Sequence, residues 1–250
     1  MTEPVPGAAA LTKGIQVLKL LSEIGRPANL AHLQKVTGMP KATLHRILQA
    51  LMSEGLVRQD FYDKTFQLGF GLLRMTRIML EDLRLPELSR DVLETLRDQT
   101  GETVHLAVPE PAGVTYIAVH RSTHPVGTVG TIGSISPYHC SSAGKAIAAF
   151  DPGVTTRILA ADLQALMPAT LTDPATLSAD LEKTRKRGYA TNFEEEFPDV
   201  FGIGVPVMDR HGRPVASISI TIPGYRFEAE RTESIVTAAK VASGQISDRL

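Results

Sequence analysis

The stretch NLAHLQKVTGMPKATLHRILQAL, residues 29–51, holds two helices and the tight turn between them. Asn29 is an N-cap residue ahead of a helix running through Leu30 and Leu33 to Val36, and Gly38 ends it. Pro40 opens the next helix, whose apolar positions Leu44, Ile47, Leu48 and Leu51 recur at helical spacing until Gly55. Upstream, Leu11, Ile15, Leu18 and Leu21, flanked by Val17 and Leu20, recur at helical spacing and predict a first helix that stops at Gly25 and Pro27. Downstream, residues 56–59 and 65–68 flank a polar turn at 60–64 and read as a two-stranded ribbon. Three short helices and a ribbon predict a winged helix-turn-helix. On its third helix, Lys41, Thr43, His45, Arg46 and Gln49 stand off the apolar stripe. Lys41, Thr43 and Arg46 are types that reach phosphates and base edges in a major groove, and Lys64 at the ribbon tip is placed to touch backbone beside it. The competing reading is a solvated polar face on an ordinary three-helix module.

The chain has 250 residues, is 43% hydrophobic and 21% charged, and carries a net charge of -1. That excludes a wholly disordered or collagen-like chain and leaves room for one large domain or two modest ones. No window is apolar for long enough to cross a membrane, and the start, Met1-Thr2-Glu3-Pro4, lacks the regions of a secretory signal. Cys140 is the single cysteine, so neither an intrachain disulfide nor a cysteine-based zinc cluster is expected. A cytoplasmic location follows as the expectation. The near-neutral total hides a split: residues 1–68 hold eight Lys and Arg against five acids, the remainder 18 against 22. A basic head on an acidic body fits a polyanion-binding module joined to one with another task.

Beyond the ribbon, an apolar helix at 72–83 carries Leu72, Leu73, Met75, Ile78, Met79 and Leu83 on more than one face and is expected to pack at a subunit interface. Pro86 is read as a break, and residues 86–100 as the next amphipathic helix. Strands are predicted at 103–108, 114–119 and 126–132, helices at 141–150, 154–161 and 175–187, strands again at 203–208 and 215–222, and a last helix at 228–249. Strands and helices not in strict alternation indicate an α+β domain. The expected division is a tail at 1–7, a winged helix-turn-helix at 8–69, a linker helix at 70–86 and a sensor domain at 87–250.

Several blocks carry a resemblance. GRP at 25–27, GMPKATLHR at 38–46 and EGLV at 54–57 are similar to the DNA-binding head of IclR-type transcriptional regulators. ETVHLAV at 102–108, HCSSAGKA at 139–146, RGYA at 187–190, VPV at 205–207 and VASISI at 215–220 follow in family order, so the resemblance spans nearly the whole chain. It implies a homodimer or dimer of dimers with a GAF-like mixed-sheet C-terminal domain. It also implies a regulator, read as a repressor, whose hold on double-stranded operator DNA responds to a small organic effector, with no cofactor. In the resemblance the effector pocket is lined by Ser142, Ala143, Asn192, Gly202, Ser219 and Thr221. Backbone N–H groups at the start of the helix near Ser142 and Ala143 attract a carboxylate, and Ser219 and Thr221, two apart on a strand, face one side. The competing reading for each hydroxyl is a bond to nearby backbone. Relatives commonly carry Asp at the position of Asn192, Cys at that of Gly202 and Gly at that of Ser142. Gly202 is expected to make room, which points to a larger effector, an aromatic or branched carboxylic acid.

Enzymatic readings compete with this one. Ser142-Ala143-Gly144-Lys145 matches the S-x-x-K acylating motif, but no Ser-Asp-Asn or Lys-Thr-Gly partner follows. Cys140 beside His139 has the residue types of a cysteine hydrolase, although neighbours at a strand end point opposite ways. His120 and His124 have the spacing of a helical metal pair in a context of strand and loop, and no metal is assigned. The run Glu194-Glu195-Glu196 reads as a solvated acidic loop. The alternative function is a small-molecule-binding or hydrolytic α+β domain whose head serves dimerisation only.

Overall fold

The computed structural model describes residues 7–82, 84–125, 127 and 130–250, with the backbone alone at 78–82. The chain separates into two compact units, Met1–Leu83 and Arg84–Leu250.

In the first unit, α1 (Ala9–Ile24), α2 (Leu30–Thr37) and α3 (Lys41–Ser53) precede an antiparallel ribbon of β1 (Val57–Gln59) and β2 (Phe66–Leu68), and α4 (Gly71–Asp82) follows. The Asn29 side chain accepts the His32 N–H and caps α2 as expected, and Gly25 and Gly38 end α1 and α2 in the left-handed conformation. Val17, Leu21, Leu33, Leu44, Leu48, Val57 and Phe66 form the core.

Only part of the apolar spacing of α1 reaches the core. Gly14, Val17 and Leu21 turn inward, whereas Leu11 is 67% exposed and Ile15 is also exposed. A helix greasy over two overlapping stripes does not reveal from periodicity which stripe meets the partner. The outer stripe instead lines an open, largely apolar groove against Ile47 and Ala50 of α3. On α4, Leu73 and Met75 are exposed; the side chains of Ile78 and Met79, and Leu83 itself, lie outside the described residues.

The second unit begins with α5 (Arg84–Thr100), so Pro86 does not break the chain. It sits in the first turn, where its missing N–H has no intrahelical partner to lose. Then come β3 (Thr103–Glu110), β4 (Gly113–His120), β5 (Ile135–Ser136), α6 (Ser142–Ala148), α7 (Pro152–Leu159) and α8 (Pro174–Arg187). β6 (Ala190–Phe193), β7 (Val200–Met208), β8 (Pro214–Pro223) and α9 (Thr232–Ser247) complete it. The strand predicted at 126–132 is absent at its described positions; residues 126, 128 and 129 lie outside them. The edge pairing falls instead at Ile135–Ser136. β6 was not anticipated, being four residues long and without an apolar alternation. α9 starts later than expected because two short 3-10 turns, Gly224–Arg226 and Ala229–Arg231, precede it.

The sheet order is β5-β4-β3-β8-β7-β6, with each neighbouring pair antiparallel. Val92, Leu96, Ile235 and Ala239 of α5 and α9 pack on one face against Val104, Leu106, Ile203, Ile218 and Ile220. Ile147, Val154, Leu177 and Leu181 of α6, α7 and α8 cover part of the other face with Ala107, Val114 and Tyr116. No helix among the described residues is long and apolar enough to cross a membrane.

Candidate functional site

β8 reads Ala216-Ser217-Ile218-Ser219-Ile220-Thr221-Ile222, a strict alternation. Its apolar members enter the α5–α9 core, so Ser217, Ser219 and Thr221 face the α6 side. Strand register extends this polar face sideways. One row runs Asn192, Gly202, Thr221, Thr103 across β6, β7, β8 and β3; the next runs Ala190, Gly204, Ser219, His105. Residues far apart in sequence thereby meet on one surface.

The start of α6 presses onto that surface. Ser141 caps α6, accepting the Gly144 N–H at 3.0 Å and donating to the Pro137 carbonyl at 2.7 Å. Ser142 Oγ and Ser219 Oγ are hydrogen-bonded at 2.8 Å. The approach requires two glycines on β7. A Cβ at Gly204 would collide with the Ser142 carbonyl, and one at Gly202 would lie 2.6 Å from Ser142 Oγ.

Beside this contact lies a cavity of about 450 Å³, within the range of small-molecule sites. Of the residues expected to line it, Ser142, Asn192, Ser219 and Thr221 do so. Ala143 is fully buried and is not at the wall; Gly202 is not at the wall either. The space freed at Gly202 is filled by the Ser142 side chain, so it does not enlarge the ligand volume. Asn192 is buried, and its Oδ1 accepts the Glu195 N–H at 2.8 Å, fixing the turn after β6.

Among the wall residues not expected from the sequence are His105, Tyr116, Ser136 and Glu196. The acidic run is not a solvated loop. Glu195 is buried and ion-paired to Lys145, with both its oxygens within 2.9 Å of Nζ. Glu196 takes the Ser136 hydroxyl at 2.6 Å, and burial raises its carboxyl above the ordinary range against the effect of that bond. Burial drives the His105 imidazole down to about 4, so it is neutral at pH 7, and its ring lies 4.8 Å from that of Tyr116. The Tyr116 phenol is pushed upward by burial and by Glu196. The polar alternation of β3 and β8 was the available signal for His105; nothing local marks Glu196.

The enzymatic readings lose their chemistry here. Lys145 of the S-x-x-K motif is fully buried between Glu195 and Asp180, 2.7 and 2.9 Å away. Ser142 is bonded to Ser219 instead of to a base. Desolvation pushes the Cys140 thiol up to about 12, and the His139 ring meets the Gln164 carbonyl. Among the described residues no group of three or more metal-ligating side chains comes together, and His120 faces Glu94 at 3.9 Å.

In the head, Lys41, His45, Arg46 and Gln49 are exposed on α3, and Thr43 is half-buried. Lys41, His45 and Gln49 follow one line at i, i+4 spacing. Thr43 and Arg46 border the groove against α1. Lys64 caps the ribbon turn with φ 56°, and its ammonium rests 4.7 Å from the Phe61 ring centre.

A winged helix-turn-helix with a polar recognition helix, followed by a separate unit holding a ligand-sized cavity of mixed polar and apolar lining, defines a DNA-binding regulator with a sensor domain. Residues 78–248 match the family model for the bacterial transcriptional regulator IclR C-terminal domain, and residues 10–60 match the IclR helix-turn-helix domain. Transcriptional repressor IclR of Escherichia coli is 31% identical over 248 residues, covering 96% of this chain and 90% of that protein. The IclR structure of Thermotoga maritima matches with a TM-score of 0.79 at 27% identity, over 97% of this chain and 98% of that one. An IclR homolog from Microbacterium hydrocarbonoxydans, complexed with 4-hydroxybenzoate, matches at TM-score 0.80 and 22% identity, over 96% and 98%. The chain belongs to the IclR family of transcriptional regulators.

Proposed function

We propose that this chain is a cytoplasmic repressor, binding a two-fold operator as a homodimer or dimer of dimers, and that a small organic acid in the cavity alters that binding. The observation that carries the effector reading is the convergence of Ser142, Ser219, Thr221 and Asn192 from three elements, α6, β8 and β6, on one cavity of about 450 Å³. Neutral donors held by a rigid sheet select a ligand by geometry, and among the described residues the cavity walls include no Lys or Arg. The carboxylate sits at the Ser142–Ser219 hydroxyls with the Asn192 amide nearby, and Ile135, Phe197 and Val200 flank an apolar body. The protein acts by binding, without catalysis. The likeness to a transcriptional repressor of Escherichia coli supports repression, and the 4-hydroxybenzoate bound by the Microbacterium homolog guides the choice of probes. On α3, Arg46 and Lys41 meet bases and phosphates; Lys64 meets phosphate; exposed Leu73 and Met75 of α4 supply subunit contact.

The test is calorimetry with small aromatic and branched acids on the wild type and on Ser219→Ala, Thr221→Val and Asn192→Asp. Ser219→Ala is expected to cost about 0.5–1.5 kcal/mol of affinity, and Asn192→Asp to weaken an anion held close by. Unchanged binding in all three variants places the pocket elsewhere. Operator affinity measured against salt should fall steeply, because phosphate contacts release counterions.

A further inference from the structure

The cavity holds a carboxyl for which the effector reading so far gives no use. Glu196 stands in the wall with Ser136 as its donor at 2.6 Å. The Ser136 hydroxyl donates its proton to Glu196 Oε1. The buried cation of this loop, Lys145, is occupied by Glu195 and Asp180. His105, on the same wall, is neutral, and its buried Nδ1 has no hydrogen-bond partner among the described residues. A carboxyl taken from water with one hydrogen bond has acceptor capacity left over, and a ligand that fills the cavity must meet it with a donor or bear the cost.

We infer that Glu196 is a specificity-determining residue that selects effectors bearing a proton-donating substituent, hydroxyl or amino, at the end remote from the carboxylate. This rests on the proposal that the acid sits at Ser142 and Ser219. Ser136 on β5 and Ser219 on β8 are three strands apart in the sheet, roughly 14 Å at the usual strand spacing. Shortened by the reach of the side chains, that distance suits one small ring with a hydrogen bond at each end. An acid without the donor leaves the remaining acceptor capacity of Glu196 unmet, and a second carboxylate there adds like-charge repulsion. A donor group gains a charge-assisted hydrogen bond.

The experiment is calorimetry on the full chain with benzoate, 4-hydroxybenzoate, 4-aminobenzoate and 4-methylphenol. The hydroxy and amino acids should bind about ten- to a hundredfold tighter than benzoate. Glu196→Met, which removes hydrogen bonding while roughly keeping volume, should shrink that preference to within about threefold. Glu196→Gln keeps the acceptor for Ser136. It should retain part of the hydroxyl preference, since a hydroxyl can accept from the amide, and lose the amino preference, a split that a merely structural residue would not produce. An undiminished preference in Glu196→Met, or equal wild-type binding of benzoate and both substituted acids, overturns the inference. Ser219→Ala separates it from its foundation: if that variant weakens all three acids while Glu196→Met changes nothing, the acid site stands and the role of Glu196 falls. If 4-methylphenol binds in a Glu196-dependent way and no acid binds, the role of Glu196 stands and the acid falls. If none of the four binds, or neither variant alters binding, both fall.

Discussion

Two polar faces, one on α3 and one on β8, are built from opposite solutions to the same problem. On α3 the side chains of Lys41, His45, Arg46 and Gln49 stay in water, over a core made by Leu44 and Leu48. On β8 the hydroxyl of Ser219 is buried and paired with that of Ser142. A face in water is open to any partner and costs the fold little. A buried polar face is specific because every unpaired atom in it is expensive.

The largest expected consequence is at Lys145. Lys145→Ala leaves Glu195 buried without its cation and should cost about 3–5 kcal/mol in urea unfolding. A loss below about 1 kcal/mol, the range of exposed pairs, would erase the contrast between the two faces. Next is the exchange of volume between Gly202 and Ser142. Gly202→Cys forces a Cβ against Ser142 Oγ and should cost about 1–3 kcal/mol. Adding Ser142→Gly, which restores the pair common in the family, should return most of it; additive losses in the double-mutant cycle would show that the two positions do not share that space.

His105 sharpens the comparison through pH. Its folded pKa, about 4, lies below the unfolded 6.5, so its contribution is complete above pH 6.5 and is lost as pH falls toward 4. The unfolded chain takes the proton first, and lowering pH from 7 to 5 should remove about 2 kcal/mol through this group. Glu196, raised by burial, acts in the opposite sense, losing stability as pH rises. Comparing wild type with His105→Asn between pH 5 and 7 isolates the histidine; identical slopes would mean that the ring is solvated. The smallest stability effect belongs to the exposed face. Arg46→Ala should leave unfolding within about 0.5 kcal/mol of wild type while costing about 1–3 kcal/mol of specific operator binding. Lys64→Ala should weaken all duplexes alike and reduce the salt slope. Equal loss on random and operator DNA for Arg46→Ala would make it a phosphate contact.

The head was legible because its signals are local. Asn29, Gly38 and Pro40 punctuate within a few residues of what they control, and the face of α3 left in water is the one its apolar stripe excludes. The exception, α1, carries two apolar stripes, and only the partner decides which is buried. In the sensor domain the strands of β8 and β7 were readable from alternation, and four of the six expected effector residues line the cavity. Ala143 and Gly202 do not, because α6 approaches β7 so closely that both are sealed behind Ser142.

The sequence by itself determined the winged head, the polar stripe on its third helix, the α+β character of the body and the family to which the blocks are similar. Each depends on spacing along the chain, which periodicity and capping chemistry express directly. Only the tertiary structure decided that Glu195 neutralises Lys145 and that Glu196 belongs to the cavity with His105 and Tyr116. These depend on strand register and on which side of a six-stranded sheet a loop closes, and three consecutive glutamates look alike until a fold buries one against Lys145 and turns the next to the cavity.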